Sequence, residues 1–173
     1  TERDGTRKLA RYMDGQRMYR LFAKFVLGNY RKHFPELKAS PAKIEWDTEE
    51  KDRRYLPEMR SDITLQNGEN ILIIDTKFYG RVLQTHELYD NRTLRSHHLY
   101  QIYAYVQNMA AKHPGNVSGL LLYAQTDEDV EPDHDFIIGG NRISIRTLDL
   151  NTDFPDIRAR LNEIAEHFLD AGK

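Results

Sequence analysis

Apolar residues in this chain keep two rhythms, one of three to four residues and one of two, and the switches between them divide it into elements. Met18, Leu21, Phe22, Phe25 and Val26 recur at helical spacing behind Asp14, a suitable N-cap, and His33-Phe34-Pro35 closes the segment. This predicts a helix that lays an apolar stripe on a sheet. Lys43–Asp47, around Ile44 and Trp46, predicts a short strand, followed by a charged loop at Thr48–Arg54. From Asp62 to Gln66 polar and apolar residues alternate, Asn67-Gly68-Glu69-Asn70 carries turn chemistry, and Ile71–Ile74 is continuously apolar. That combination predicts a β-hairpin. Phe78-Tyr79-Gly80 and the polar segment Arg81–Arg95 predict a long connection, in which His86, Glu87 and Asp90 read as solvated loop residues or, alternatively, as groups that touch substrate.

A second helix is expected from Ser96 or His97 to about Lys112, stopped by His113-Pro114-Gly115, with Leu99, Ile102, Tyr103, Val106, Met109 and Ala110 as its buried stripe. Val117–Ala124 lacks helical periodicity and predicts a buried strand, and Asp127–Asp135 an acidic turn. Phe136–Ile138 and Arg142–Leu148, parted by Gly139-Gly140-Asn141, predict a second hairpin. Asp153 and Pro155 open a closing helix with the stripe Ile157, Leu161, Ile164, Phe168 and Leu169, which Gly172 ends. The order is helix, three strands, helix, strand, hairpin, helix. It predicts an α/β (α+β) fold, a mixed central sheet flanked by helices.

The first hairpin gathers candidate chemistry. A turn centred on Gly68-Glu69, or a four-residue loop Asn67–Asn70, sets Asp62 opposite Asp75 with Cβ atoms roughly 4.5–5.5 Å apart. A turn at Asn67-Gly68 makes the two diagonal neighbours instead. In either register the period of two keeps both on one face, and Lys77 joins them if the strand runs that far. Two carboxylates held so close repel unless a hard divalent cation, most naturally Mg²⁺, sits between them, and a nearby lysine can then activate water or meet phosphoryl charge. The competing reading is an ordinary Asp62–Lys77 salt bridge with Asp75 as a strand-end loop residue. Gln101 and Tyr105 stack one helical turn apart and either reach towards this carboxylate face or form a structural hydrogen-bonded pair.

Composition narrows the classes. At 173 residues the chain suits one domain. It has no cysteine, which excludes disulfides, thiolate metal sites and cysteine nucleophiles. With no apolar run of about 18 residues and no signal-peptide pattern, a soluble, cytoplasmic protein without a membrane partner is expected. The first residue, Thr1, suggests a portion of something longer. The net charge of −2 hides an uneven distribution: residues 1–60 hold fifteen Lys/Arg against ten Asp/Glu, and Arg3, Arg7, Lys8, Arg11, Arg17, Arg20, Lys24, Arg31 and Lys32 crowd the amino end. Such a stretch can follow a phosphate backbone or be a solvated helix face.

Helix, three strands, helix and strand, with Asp62, then Asp75-Thr76-Lys77, then Gln101-Ile102-Tyr103-Ala104-Tyr105, resembles the PD-(D/E)XK nuclease core. More narrowly, Leu72–Gly80 followed by Leu99–Tyr105 resembles the endonuclease part of McrC, the nuclease subunit of the McrBC modification-dependent restriction systems. The resemblance covers roughly residues 14–125 and implies a PD-(D/E)XK domain over 1–173, carboxy-terminal within a longer McrC-like chain. It implies that Asp62, Asp75 and the Thr76 carbonyl ligate Mg²⁺, for which Mn²⁺ would substitute. Lys77 would orient or activate water, and Gln101 and Tyr105 would support the scissile phosphate. The reaction implied is hydrolysis of a DNA phosphodiester. The implied partners are DNA carrying a modified base and a McrB-like AAA+ GTPase, and the sequence leaves open whether a second nuclease domain meets this one on the same DNA. Two positions depart from the family. Ser61 stands where a proline is usual. Ala23, in Leu21-Phe22-Ala23-Lys24-Phe25-Val26, stands at the place of a glutamate, with Glu58 as a substitute carboxylate. The alternatives are a nuclease-fold module that binds or docks without cutting, and a PD-(D/E)XK nuclease of repair or recombination.

Overall fold

The computed structural model describes residues 2–78, 83–86, 91–124 and 132–172. In chain order these form α1 (Glu2–His33), a 3-10 turn at Pro35–Leu37, β1 (Lys43–Ile44), β2 (Met59–Arg60), β3 (Ile63–Asn67), β4 (Asn70–Lys77), β5 (Leu83–His86) and β6 (Asn91–Leu94), then α2 (Ser96–Lys112), β7 (Val117–Ala124), β8 (His134–Ile138), β9 (Asn141–Leu148) and α3 (Phe154–Ala171). Five strands make the central sheet in the order β3–β4–β7–β9–β8. Its middle is parallel, β4 with β7 and β7 with β9, and each edge is an antiparallel hairpin. The result is a mixed α/β fold compatible with a PD-(D/E)XK-type nuclease.

The apolar runs of β4 and β7 follow from position, because central strands are covered on both faces and have no side to give to water. On one face Phe22, Val26 and Tyr30 of α1 and Ile157, Leu161, Ile164 and Phe168 of α3 pack on Ile63, Leu65, Leu72, Ile74, Leu120 and Leu122. On the other, Ile102, Tyr105 and Val106 of α2 cover Ile71, Ile73, Leu121 and Tyr123. Helix α2 carries the chain from β4 to its parallel neighbour β7, and at Gly119 it comes closest to the sheet. A Cβ there would lie 2.7 Å from Val106 Cγ2 and 2.8 Å from Ile102 Cγ1.

Several expectations change. Helix α1 starts at Glu2, well before Asp14, because Arg, Lys, Leu, Ala and Met sustain a helix and Gly15 weakens it without ending it. On α1, Met18 and Leu21 are exposed, while Phe22, Val26, Asn29 and Tyr30 face inward. The strand expected over Lys43–Asp47 ends at Ile44 and pairs with the unforeseen β2, while Trp46 Nε1 donates to Pro57 O at 2.7 Å. The connection before α2 contains the antiparallel pair β5–β6, with His86 opposite Asn91. On α2, Tyr103 is exposed, and His98 and Tyr105 are buried beside Ile102 and Val106. Strand β8 begins at His134 rather than Phe136. Tyr79, Gly80, Glu87, Asp90 and Asp127 lie outside the described residues. No helix among the described residues is long and apolar enough to cross a membrane.

Candidate active site

The β3–β4 hairpin pairs Ile63 with Ile74 and Asn67 with Asn70, so Gly68-Glu69 is the two-residue loop, and Gly68 supplies the positive φ of 59° that it needs. Of the two registers open in the sequence, this is the one that sets position 62 against position 75. Asp62 itself stands one residue ahead of β3, and its side chain turns to the edge of β4. There its Oδ2 accepts the Thr76 backbone N–H at 2.8 Å and the Thr76 hydroxyl at 2.9 Å. Where β3 stops pairing, a carboxylate thus takes the strand's place as acceptor. Ser61 steadies the approach: its N–H donates to Ala42 O and its Oγ accepts the Ala42 N–H, both at 2.9 Å. A proline at 61 would lack both bonds.

From α1, the Tyr19 hydroxyl donates to Asp62, 2.8 Å from Oδ1 and 2.9 Å from Oδ2. Burial, then the charge of Asp62, push this phenol well above its ordinary range, so it remains a donor. Asp75 and Lys77 project from β4 to the α2 side, where Lys77 Nζ lies 2.6 Å from Asp75 Oδ2 and donates to Gln101 Oε1 at 2.6 Å. Gln101 Nε2 in turn donates to the Tyr105 hydroxyl at 2.9 Å. His98, Gln101 and Tyr105 occupy one side of α2 at spacings of three and four. His98 Nδ1 lies 2.8 Å from the hydroxyl of Tyr123, the residue paired with Lys77 across β4 and β7. Burial, followed by the charge of Lys77, pushes His98 down to about 3, so its ring is neutral.

Asp75 is only 2% exposed. Burial pushes its carboxyl up to about 7, Lys77 pulls against that shift, and Asp62 adds to it through its charge and a hydrogen bond. Asp75 Oδ2 is fully buried and has no donor aligned with it, so its contact with the ammonium rests on charge. An under-satisfied buried oxygen beside a second carboxylate suits one shared proton or one hard cation. Mg²⁺ is commonly held by one or two carboxylates together with water, and the oxygens here fit that demand. Among the described residues no group of three or more His, Cys, Asp or Glu side chains is placed to hold a metal. Glu58 is exposed in the segment before β2, and Ala23 lies one turn beyond Tyr19 on α1.

The structure therefore joins Asp62, Asp75, Thr76, Lys77, Gln101 and Tyr105 in one array at the carboxyl end of the parallel strand β4, the end where open α/β sheets usually bind ligands. The salt bridge is Lys77–Asp75 rather than Lys77–Asp62, and Asp75 lies in the strand. Tyr19, His98 and Tyr123 were not legible as members. Tyr19 falls between apolar helix positions, and the other two read as the start of a helix and part of a buried strand. His98 alone had a signal, three residues ahead of Gln101.

Comparison with known proteins agrees with the motifs. The chain is 28% identical over 152 residues to the type IV methyl-directed restriction enzyme EcoKMcrBC of Escherichia coli strain K12, covering 86% of this chain and 42% of that relative. It thus spans about two fifths of the relative's length. Residues 16–124, which carry the whole array, match the family model of the McrBC 5-methylcytosine restriction system component. With well over half its length matched, the chain belongs to the McrBC 5-methylcytosine restriction system component family.

Proposed function

We propose that this chain is the Mg²⁺-dependent endodeoxyribonuclease of a modification-dependent restriction system, hydrolysing DNA phosphodiesters together with a McrB-like AAA+ GTPase. The observation that carries the reading is Lys77, held 2.6 Å from both Asp75 and Gln101 beside a second carboxylate anchored on Thr76. Asp62, Asp75 and the Thr76 carbonyl would hold the cation, which when bound supplies neutralisation of phosphoryl charge and a lower pKa for water. Lys77 has three N–H donors. One meets Gln101 while the charge of the ammonium holds Asp75, and the remaining donors can orient water or meet a phosphoryl oxygen. Gln101, tied to Tyr105, keeps the ammonium in place. Family membership favours restriction over repair or recombination, and the relative's name supports methylated DNA as the target.

Ala23, at the place of a glutamate, favours a second reading, a nuclease-fold module that docks without cutting. Calorimetric titration of Mg²⁺ and cleavage of methylated plasmid, assayed with the GTPase partner, separate the two. Asp62→Ala and Asp75→Ala should each abolish binding. Lys77→Ala should keep binding and lose cleavage by about a hundredfold or more. Cleavage by Lys77→Ala at the parental rate overturns the proposal, and an inert parental protein selects the docking module.

A further inference from the structure

Asp62 carries more hydrogen bonds than its place at a strand end calls for. Thr76 alone satisfies Oδ2, through its backbone N–H and its hydroxyl. The Tyr19 hydroxyl then arrives from α1 and stands 2.8 Å from Oδ1 and 2.9 Å from Oδ2. A donor so nearly equidistant sits in the fork of the carboxylate, which is the place a cation takes when both oxygens of one carboxylate hold it. Other acids of the fold are closed by cations, Asp52 by Arg54, and Asp133 and Asp135 by Arg146. Those pairs cancel the acid's charge and leave little for a metal. A phenol is neutral, so Tyr19 fills the fork of Asp62 and leaves its charge in place.

A carboxylate offers about four acceptor sites, two on each oxygen. On Asp62 the two Thr76 donors occupy Oδ2 and Tyr19 occupies the fork, which leaves the outer side of Oδ1. Asp75 commits its Oδ2 to Lys77 at 2.6 Å, which leaves its Oδ1. Each carboxylate thus has a single oxygen to give. Mg²⁺ is satisfied by one or two carboxylates and keeps several waters, whereas Ca²⁺ takes about six to eight oxygens and commonly gathers them with bidentate carboxylates. Resting on the nuclease reading above, we infer that Tyr19 is a specificity-determining residue: by filling the fork of Asp62 it restricts that carboxylate to single-oxygen ligation and shifts the site's preference from Ca²⁺ towards Mg²⁺.

The test is calorimetric titration of the full chain with Mg²⁺ and, separately, with Ca²⁺, comparing the parent with Tyr19→Phe. The substitution empties the fork and removes a bond that orients the ligand, so Kd for Mg²⁺ should rise by about tenfold or more. Ca²⁺ regains a second oxygen and should not follow, so the ratio of the Ca²⁺ Kd to the Mg²⁺ Kd should fall by at least about tenfold. Tyr30→Phe is the control. Tyr30 lies on the same sheet-facing side of α1, about 20° from Tyr19 in helical rotation, and its buried hydroxyl donates to Leu161 O at 2.9 Å. Its loss loosens α1 without touching Asp62, and both Kd values should stay parental. In cleavage with the GTPase partner and Mg²⁺, Ca²⁺ should inhibit Tyr19→Phe at about a tenth of the concentration that inhibits the parent. A ratio unchanged in Tyr19→Phe, with both cations weakened alike or neither weakened, overturns the inference and reduces Tyr19 to a support of the fold. So does an equal shift of the ratio in Tyr30→Phe. A parent that binds neither cation sinks the metal-dependent nuclease reading and this inference with it, whereas a parent that binds, with an unchanged ratio in Tyr19→Phe, sinks this inference alone.

Discussion

At the scale of single residues the candidate centre trades stability for charge. An acid whose folded-state pKa is raised binds extra protons when folded, so its contribution is intact below about pH 4 and is lost as pH climbs to about 7, where Asp75 is set. Asp75→Asn copies the protonated form. Its stability advantage over the parent, measured by urea unfolding in EDTA, should be small at pH 4, grow between pH 4 and 7, and level off above at about 2–4 kcal/mol. A flat difference across that range would show that Asp75 ionises normally. Tyr19 works in the opposite sense. Tyr19→Phe removes a donor to a half-buried carboxylate and should cost about 1–3 kcal/mol at neutral pH, with an unaltered far-UV spectrum.

At the scale of elements, what matters is how near α2 lies to the sheet. Gly119 sets that distance, and Gly119→Ala forces Ile102 and Val106 outward, carrying Gln101 away from Lys77. The expected cost is about 1–3 kcal/mol in denaturant unfolding, with cleavage falling more than stability alone explains. Elements also show where sequence patterns stop informing. The β3–β4 hairpin was readable because a period of two, the turn chemistry of Asn67–Asn70 and an apolar run all agree; its register was open between two alternatives, both of which gave the common neighbourhood of Asp62, Asp75 and Lys77. Periodicity gave the length of α2 and most of its inward stripe, Ile102 and Val106 buried and Leu99, Met109 and Ala110 packed against the core, but it placed Tyr103 inward and missed Tyr105 and His98. Tyr103 and Tyr105 are equally apolar by composition, and only the site's polar demands turn Tyr105 and His98 in. The contact of Tyr19 with Asp62 joins residues 43 apart, and it depends on how α1 lies across β4. Ser61, read as a departure from a proline, proves to be a clamp on Ala42.

At the scale of the whole molecule, side chains from three layers meet at one point: Tyr19 from α1, Asp62, Asp75 and Lys77 from the sheet, and Gln101 and Tyr105 from α2. A cation bound there ties the layers together. Mg²⁺ at a hundred times its Kd should stabilise the fold by about 2.7 kcal/mol and raise Tm by roughly 5–10 °C, an effect that Asp62→Ala should remove. The parallel pairing of β4 with β7 has a kinetic consequence. Parallel neighbours must wait for the crossover between them, so α2 has only Ile71 and Ile73 of β4 to rest on until Val117–Ala124 brings Leu121 and Tyr123 into the sheet. In refolding, cleavage should therefore return with the slowest tertiary phase, well after the β3–β4 hairpin has closed. During synthesis every side chain of the centre is made before Val117–Ala124 can complete the sheet, so on the proposed reading the chain gains its power to cut only when its last central strands are in place.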